Sequence, residues 1–127
     1  MNTAVVGLGS NINPVENIDR ARKLLSQKNQ IIAESPLIQT APIGLKRQGK
    51  FLNGALLVKT ELDYPTFNQC LKKIEISLGR EKTFLKSGPR TIDLDIIVWN
   101  GKIRHRDFHH RDFVKKSVLE LIPDLKW

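Results

Sequence analysis

Residues 88–99 read GPRTIDLDIIVW. From Ile92 onward apolar positions alternate with others: Ile92, Leu94, Ile96 and Val98 fall on one side, Thr91, Asp93, Asp95 and Ile97 on the other. A strand sends successive side chains to opposite faces, so this stretch predicts a strand with an aliphatic face and a face carrying Asp93 and Asp95 side by side. Two carboxylates at that spacing repel each other, and a strand rich in β-branched residues has no structural need of them.

Upstream, the chain supplies what such a strand would pair with. Residues 3–8 form a short apolar run ending in the turn GLGSN. Asn13 as N-cap, Pro14 at the first helical position and Glu16 in the first turn predict a helix over 14–28, with Ile18, Ala21, Leu24 and Leu25 as its apolar stripe. IIAESPLIQT (31–40) predicts a second strand, bent or at an edge because of Pro36. Residues 41–50 form a loop and FLNGALLVKT (51–60) a third strand. Pro65 opens a second helix with Phe67, Leu71, Ile74 and Leu78 at helical spacing, closed by Gly79. A basic loop leads into the Asp strand, Asn100-Gly101 marks a turn, and FVKKSVLELI forms a final helical segment ended by Pro123. The order β-α-β, β-α-β predicts one α+β domain over 1–127. Its class is a ferredoxin-like split βαβ sandwich: a four-stranded antiparallel sheet, two helices on one face and a C-terminal helical segment. Asp93 and Asp95 are then expected on the open face. Such an architecture hosts many functions.

The 127 residues suit a single core, and 40% hydrophobic with 27% charged residues is ordinary for a soluble protein. The first apolar run is too short to span a membrane, and no basic segment precedes it as a signal peptide requires, so a cytoplasmic protein is expected. The single cysteine, Cys70, excludes an internal disulfide and a cysteine metal cluster; beside Phe67 and Leu71 it reads as a small core residue. A formal net charge of +8, from 21 Lys and Arg against 13 Asp and Glu, calls for an anionic partner. The basic residues gather at 79–90 and 102–116, on either side of the Asp pair, which favours a metal-bound phosphate over a long nucleic-acid backbone.

The Asp pair has two readings: a solvated Asp-x-Asp on an exposed sheet face, or oxygen ligands for Mg²⁺, which takes its remaining oxygens from water and phosphate. Arg80, Lys82, Lys86 and Arg90 just upstream favour the second, because phosphate-binding cations beside metal-binding carboxylates are the equipment of phosphoryl transfer. GLGSN lacks the third glycine of a dinucleotide fingerprint and reads as a tight turn. His105, His109 and His110 lie in the basic C-terminal stretch without the partners a zinc site needs. His105 suits a phosphate contact, and the other two suit solvated surface. Phe51 and Asn53 point the same way on the third strand; with Phe113 they offer a flat heterocycle two rings and an amide, or else the phenylalanines are core residues.

GPRTIDLDI, together with GLGSN, TAPIG followed by FLN, IE before GR, and RDFV before a proline, resembles the 6-hydroxymethyl-7,8-dihydropterin pyrophosphokinases of folate biosynthesis, from residue 5 to about 125. The resemblance implies transfer of pyrophosphate from ATP to the pterin hydroxymethyl oxygen with release of AMP, with two Mg²⁺ ions on the triphosphate; a monomer is expected. It implies Asp93 and Asp95 as metal ligands and, with Arg90 and Arg80, as catalytic residues. Glu75, Lys82, Arg90, His105 and Arg111 would bind ATP. Thr40, the loop Pro42, Ile43, Gly44 and Leu45, and Asn53 would bond the pterin edge, with Phe51 and Phe113 stacking on its ring. The loop 79–90 would be a lid over bound ATP. The stretch between Trp99 and His105 is shorter than in most of the family, and Ser87 stands where some members carry tryptophan.

Three other readings compete. A metal-dependent nucleotidyl transferase or cyclase on a similar sandwich leaves Phe51, Asn53 and Phe113 without a purpose and wants a third acidic ligand. A nucleic-acid-binding sandwich is permitted by the charge but wants aromatics on its central strands, and TAVVGLG has none. A degenerate relative would bind pterin and turn it over poorly.

Overall fold

The computed structural model describes residues 1–41, 50–79 and 91–127. Its centre is β1 (Asn2–Ser10), antiparallel on one side to β4 (Phe51–Thr60), from Asn2 opposite Thr60 to Ser10 opposite Leu52. On its other side β1 pairs with β5 (Asp93–Trp99). β2 (Gln30–Glu34) and β3 (Ile38–Thr40) lie along the outer edge of β4, and β6 (Lys102–Ile103) pairs with the end of β5. The order is β2-β4-β1-β5-β6, with β3 beside β4.

The sheet therefore has six strands among the described residues, not the expected four. Pro36 divides the expected strand 31–40, because it has no N–H to give the ladder. Ser35 spans the break with its own atoms: its N–H donates to Ala55 O at 2.9 Å, and its Oγ accepts from Ala55 N at 2.8 Å. At the other edge, Asn100 and Gly101 both adopt positive φ (49° and 80°), the two-residue hairpin geometry that returns the chain as β6.

α1 (Pro14–Ser26) and α2 (Tyr64–Ser77) cover one face. Ile18, Ala21 and Leu25 of α1 and Phe67, Leu71 and Ile74 of α2 pack with Ala4, Val6, Leu8, Leu56, Val58, Leu94 and Ile96, all buried. Burying each of the larger side chains contributes roughly 1.5–3 kcal/mol. Cys70 lies half-buried against this core. Asn13 sits at the start of α1 with a left-handed backbone (φ 40°) and no side-chain cap bond, so the expected cap is not made. Asn17 Nδ2 instead donates to Ile12 O at 2.5 Å. The helix stops at Ser26, two residues early, where Asn29 takes over by bonding Leu25 O and Thr60 Oγ1. α2 is capped by Asp63, which accepts from Thr66 N at 2.9 Å, and Gly79 follows its end at φ +90°.

The other face is not open along its whole length. α3 (Asp107–His110) and α4 (Asp112–Leu121) build a second core there, with Phe108 and Val118 against Val5, Ala55, Ile97 and Val98. A bulge explains why Val98 lies on this face and not with Ile96: Val5 pairs with Val98 and Val6 with Ile96, so Ile97 is an extra residue and the alternation inverts after it. α4 packs where the sheet is apolar; where it is glycine and carboxylate, a cavity remains. No helix among the described residues is long and apolar enough to cross a membrane.

Candidate active site

The cavity, of about 490 Å³, lies between this second face and the α3–α4 segment. Its floor is built from register. Asn53, Gly9 and Asp93 stand opposite one another on β4, β1 and β5, and in the next row stand Ala55, Gly7 and Asp95. With strands spaced about 4.8 Å apart, an amide on one side and the carboxylates on the other are separated by about 10 Å. The central strand contributes no side chain to either row. A Cβ on Gly9 would lie 2.8 Å from Asn53 Oδ1, and one on Gly7 would lie 3.0 Å from Ile97 Cγ1. The glycines of GLGSN, expected in a turn, lie instead within β1, where they keep the floor flat and let neighbouring side chains lean over it.

Thr40, Phe51, Asn53, Asp93, Asp95, His105, Arg111 and Phe113 all line this one cavity. They come from β3, β4, β5, the α3 region and α4. Asn53 Nδ2 donates to Thr40 Oγ1 at 2.6 Å, which orients the amide and leaves Oδ1 over Gly9. Phe51 and Phe113 are half-buried at the wall and belong to neither core. His109 and His110 are exposed.

Asp95 Oδ1 has two nitrogen groups nearby, Lys72 Nζ at 3.4 Å and His105 Nε2 at 4.0 Å. The N–H of Asp107 donates to His105 Nδ1 at 3.1 Å, so the neutral imidazole carries its proton on Nε2, the atom nearer Asp95. Asp107 also places its carboxylate between His105 Nδ1 (3.7 Å) and Arg111 Nε (3.9 Å), which ties the two together.

Glu75 is not in the cavity. It is 3% exposed on α2, on the far side of β5, and its Oε2 accepts from Leu94 N at 2.7 Å while Lys72 Nζ lies 3.3 Å away. Lys72 Nζ also donates to Leu94 O at 2.8 Å. β6 pairs only with Val98 and Trp99, so at Leu94 the backbone edge of β5 meets these two side chains instead of a strand. Both polar backbone groups of the residue between the two aspartates are thereby held by α2.

Sequence reasoning did not single out Lys72, Arg106, Asp107 or Ser117, the last three of which line the cavity. Asp107 was within reach of it: it lies two residues from His105 and four from Arg111. Lys72 was not, since in sequence it is one of two adjacent lysines on its helix, with nothing local to tell it from Lys73. Pro42, Ile43, Gly44, Leu45, Arg80, Lys82, Lys86, Ser87 and Arg90, and with them the expected lid, lie outside the described residues. Among the described residues no three His, Cys, Asp or Glu side chains are grouped to hold a metal on their own.

Oxygen donors and cations at one end of the cavity, and an amide with aromatic walls at the other, suit a ligand with an anionic tail and a flat polar ring. The family model of 7,8-dihydro-6-hydroxymethylpterin-pyrophosphokinase matches residues 5–123. The chain is 33% identical to the 2-amino-4-hydroxy-6-hydroxymethyldihydropteridine pyrophosphokinase of Haemophilus influenzae, over 98% of this chain and 84% of that protein. Identity to the Pseudomonas aeruginosa protein of the same name is also 33%, over 95% and 81%. The folic acid synthesis protein fol1 of Schizosaccharomyces pombe is 35% identical over 96% of this chain, which spans 18% of that longer protein.

Proposed function

The chain belongs to the 7,8-dihydro-6-hydroxymethylpterin-pyrophosphokinase family, and we propose how its own residues carry the family's reaction. It transfers pyrophosphate from ATP to the hydroxymethyl group of 6-hydroxymethyl-7,8-dihydropterin in folate biosynthesis. The hydroxymethyl oxygen bonds to the β-phosphorus, the bond from that phosphorus to the α–β bridging oxygen breaks, AMP leaves, and the hydroxyl proton passes to solvent.

The observation that carries the residue assignment is the row Asn53–Gly9–Asp93. It supports a pterin lying over the glycine floor, its edge on Asn53 and Thr40 and its ring between Phe51 and Phe113, with the hydroxymethyl arm directed toward Asp93 and Asp95. The two aspartates fit Mg²⁺: both project from one face, beside a floor with no side chains, and offer the oxygen donors a hard cation takes. Two bound Mg²⁺ ions would draw charge from the triphosphate and hold it in line. His105 and Arg111, held by Asp107, would donate to phosphate oxygens. Arg80, Lys82 and Arg90 would add positive charge and the loop Pro42–Leu45 further contacts to the pterin. Alignment and charge neutralisation do most of the work in such a transfer, so no strong base is required. Glu75 acts from beneath β5, as a support for Leu94. The order β2-β4-β1-β5, with α1 and α2 on one face, supports a ferredoxin-like split βαβ core to which β3, β6, α3 and α4 are added.

The test is to incubate the protein with ATP, Mg²⁺ and 6-hydroxymethyl-7,8-dihydropterin and to follow AMP. AMP formation that requires the pterin is expected. ATP breakdown indifferent to the pterin, or none, would overturn the assignment.

A further inference from the structure

Ser117 of α4 is 2% exposed, lines the cavity, and its Oγ has no hydrogen-bond partner among the described residues. A buried hydroxyl without a partner costs free energy, and serine in a helix ordinarily bonds a carbonyl of the preceding turn. Gly7, Gly54, Ile97 and Val114 line the same cavity and offer it only apolar surface or backbone. Across the cavity Asn53 has committed an N–H to Thr40 and offers Oδ1 over Gly9, so it presents chiefly an acceptor, suited to ring N–H and amino groups. A pterin ring also carries a carbonyl oxygen, which needs a donor, and a hydroxyl can supply one.

Resting on the assignment of the cavity to the pterin, we propose that the Ser117 hydroxyl donates to the ring carbonyl oxygen and is a specificity-determining contact for the heterocycle. It gains its partner only when the ring is bound. Its removal therefore weakens ligand binding without weakening the unliganded fold.

Calorimetry on wild type and Ser117→Ala tests this, using 6-hydroxymethyl-7,8-dihydropterin and an analogue lacking the ring carbonyl oxygen, beside the melting temperature of each unliganded protein. The expected result is a Kd for the pterin raised roughly threefold to tenfold in the variant, the size of one hydrogen bond. The two proteins should bind the analogue equally, and the variant's melting temperature should be unchanged or higher. Equal affinity of both proteins for the pterin would overturn the Ser117 contact and leave the pterin assignment standing. So would a lower melting temperature with equal losses for both ligands, since the hydroxyl would then serve the helix. A wild-type protein that binds no pterin would overturn the assignment and the contact together.

Discussion

Gly9 and Asn53 are partners across β1 and β4, and Asn53 Oδ1 lies 2.8 Å from where a Cβ on Gly9 would be. The absent side chain gives the amide its place. Gly9→Ala forces the Asn53 carboxamide off the floor and away from Thr40. Overpacking of this kind costs about 1–3 kcal/mol, and here it falls on a binding group. The expected outcome is a KM for the pterin raised about tenfold with the KM for ATP little changed. Steady-state kinetics with each substrate varied in turn checks it; equal rises in both would count against the reading.

Asp95→Asn keeps the shape of the side chain and removes its charge. If the carboxylate helps hold the metal-bound triphosphate, kcat falls on the order of a hundredfold to a thousandfold, as when other transition-state-stabilising groups are lost. Pterin affinity measured by calorimetry without ATP should stay within about twofold of wild type, because Asn53, Phe51 and Phe113 are untouched.

Glu75→Ala removes the acceptor that Leu94 N and Lys72 share. A buried N–H and a half-exposed ammonium then lose a charged partner, and stability should fall by about 2 kcal/mol. Urea unfolding reads this directly, with an unchanged slope. Glu75→Gln should recover part of the loss, since its carbonyl oxygen can still accept from Leu94.

The N-cap of α2 gives a pH-dependent outcome. The bond from Thr66 holds the Asp63 carboxyl below its ordinary value. Its cap therefore stabilises fully above the unfolded-state value, near pH 4, and is lost as pH falls through the lower folded-state value. Asp63→Ala should lower the melting temperature at pH 7, and the gap to wild type should close as pH drops from about 4 toward 2. Asp63→Asn, an acceptor without a charge, should lose less at pH 7. Differential scanning calorimetry across that range decides it.

Local patterns foretold the elements well where a single physical cause acts. Pro65 opens α2, Gly79 at positive φ follows its end, and the alternation about Asp93 and Asp95 puts both on one face. The errors came where a second influence entered. Asn13 has the chemistry of a cap, yet its left-handed backbone turns the side chain out of reach, and Asn17 does the bonding. Val98 continues the alternation in sequence, yet the bulge at Ile97 carries it to the other core. β6, two residues long, has no periodicity to detect.

By itself the sequence determined the order of the elements and the inventory of chemistry: two carboxylates on one strand face, an amide and two aromatic rings, and cations on either side. These follow from local rules, side-chain period, capping and turn chemistry, which act over a few residues. The tertiary structure alone decided that Asn53 and Asp93 face each other across a glycine, that α4 closes part of the supposed open face, and that Glu75 grips the strand from behind. Strand pairing joins positions 44 and 84 residues apart in sequence, Asn53 to Gly9 and Gly9 to Asp93. No local pattern carries that register. It is settled only when the apolar faces of all the elements are buried together.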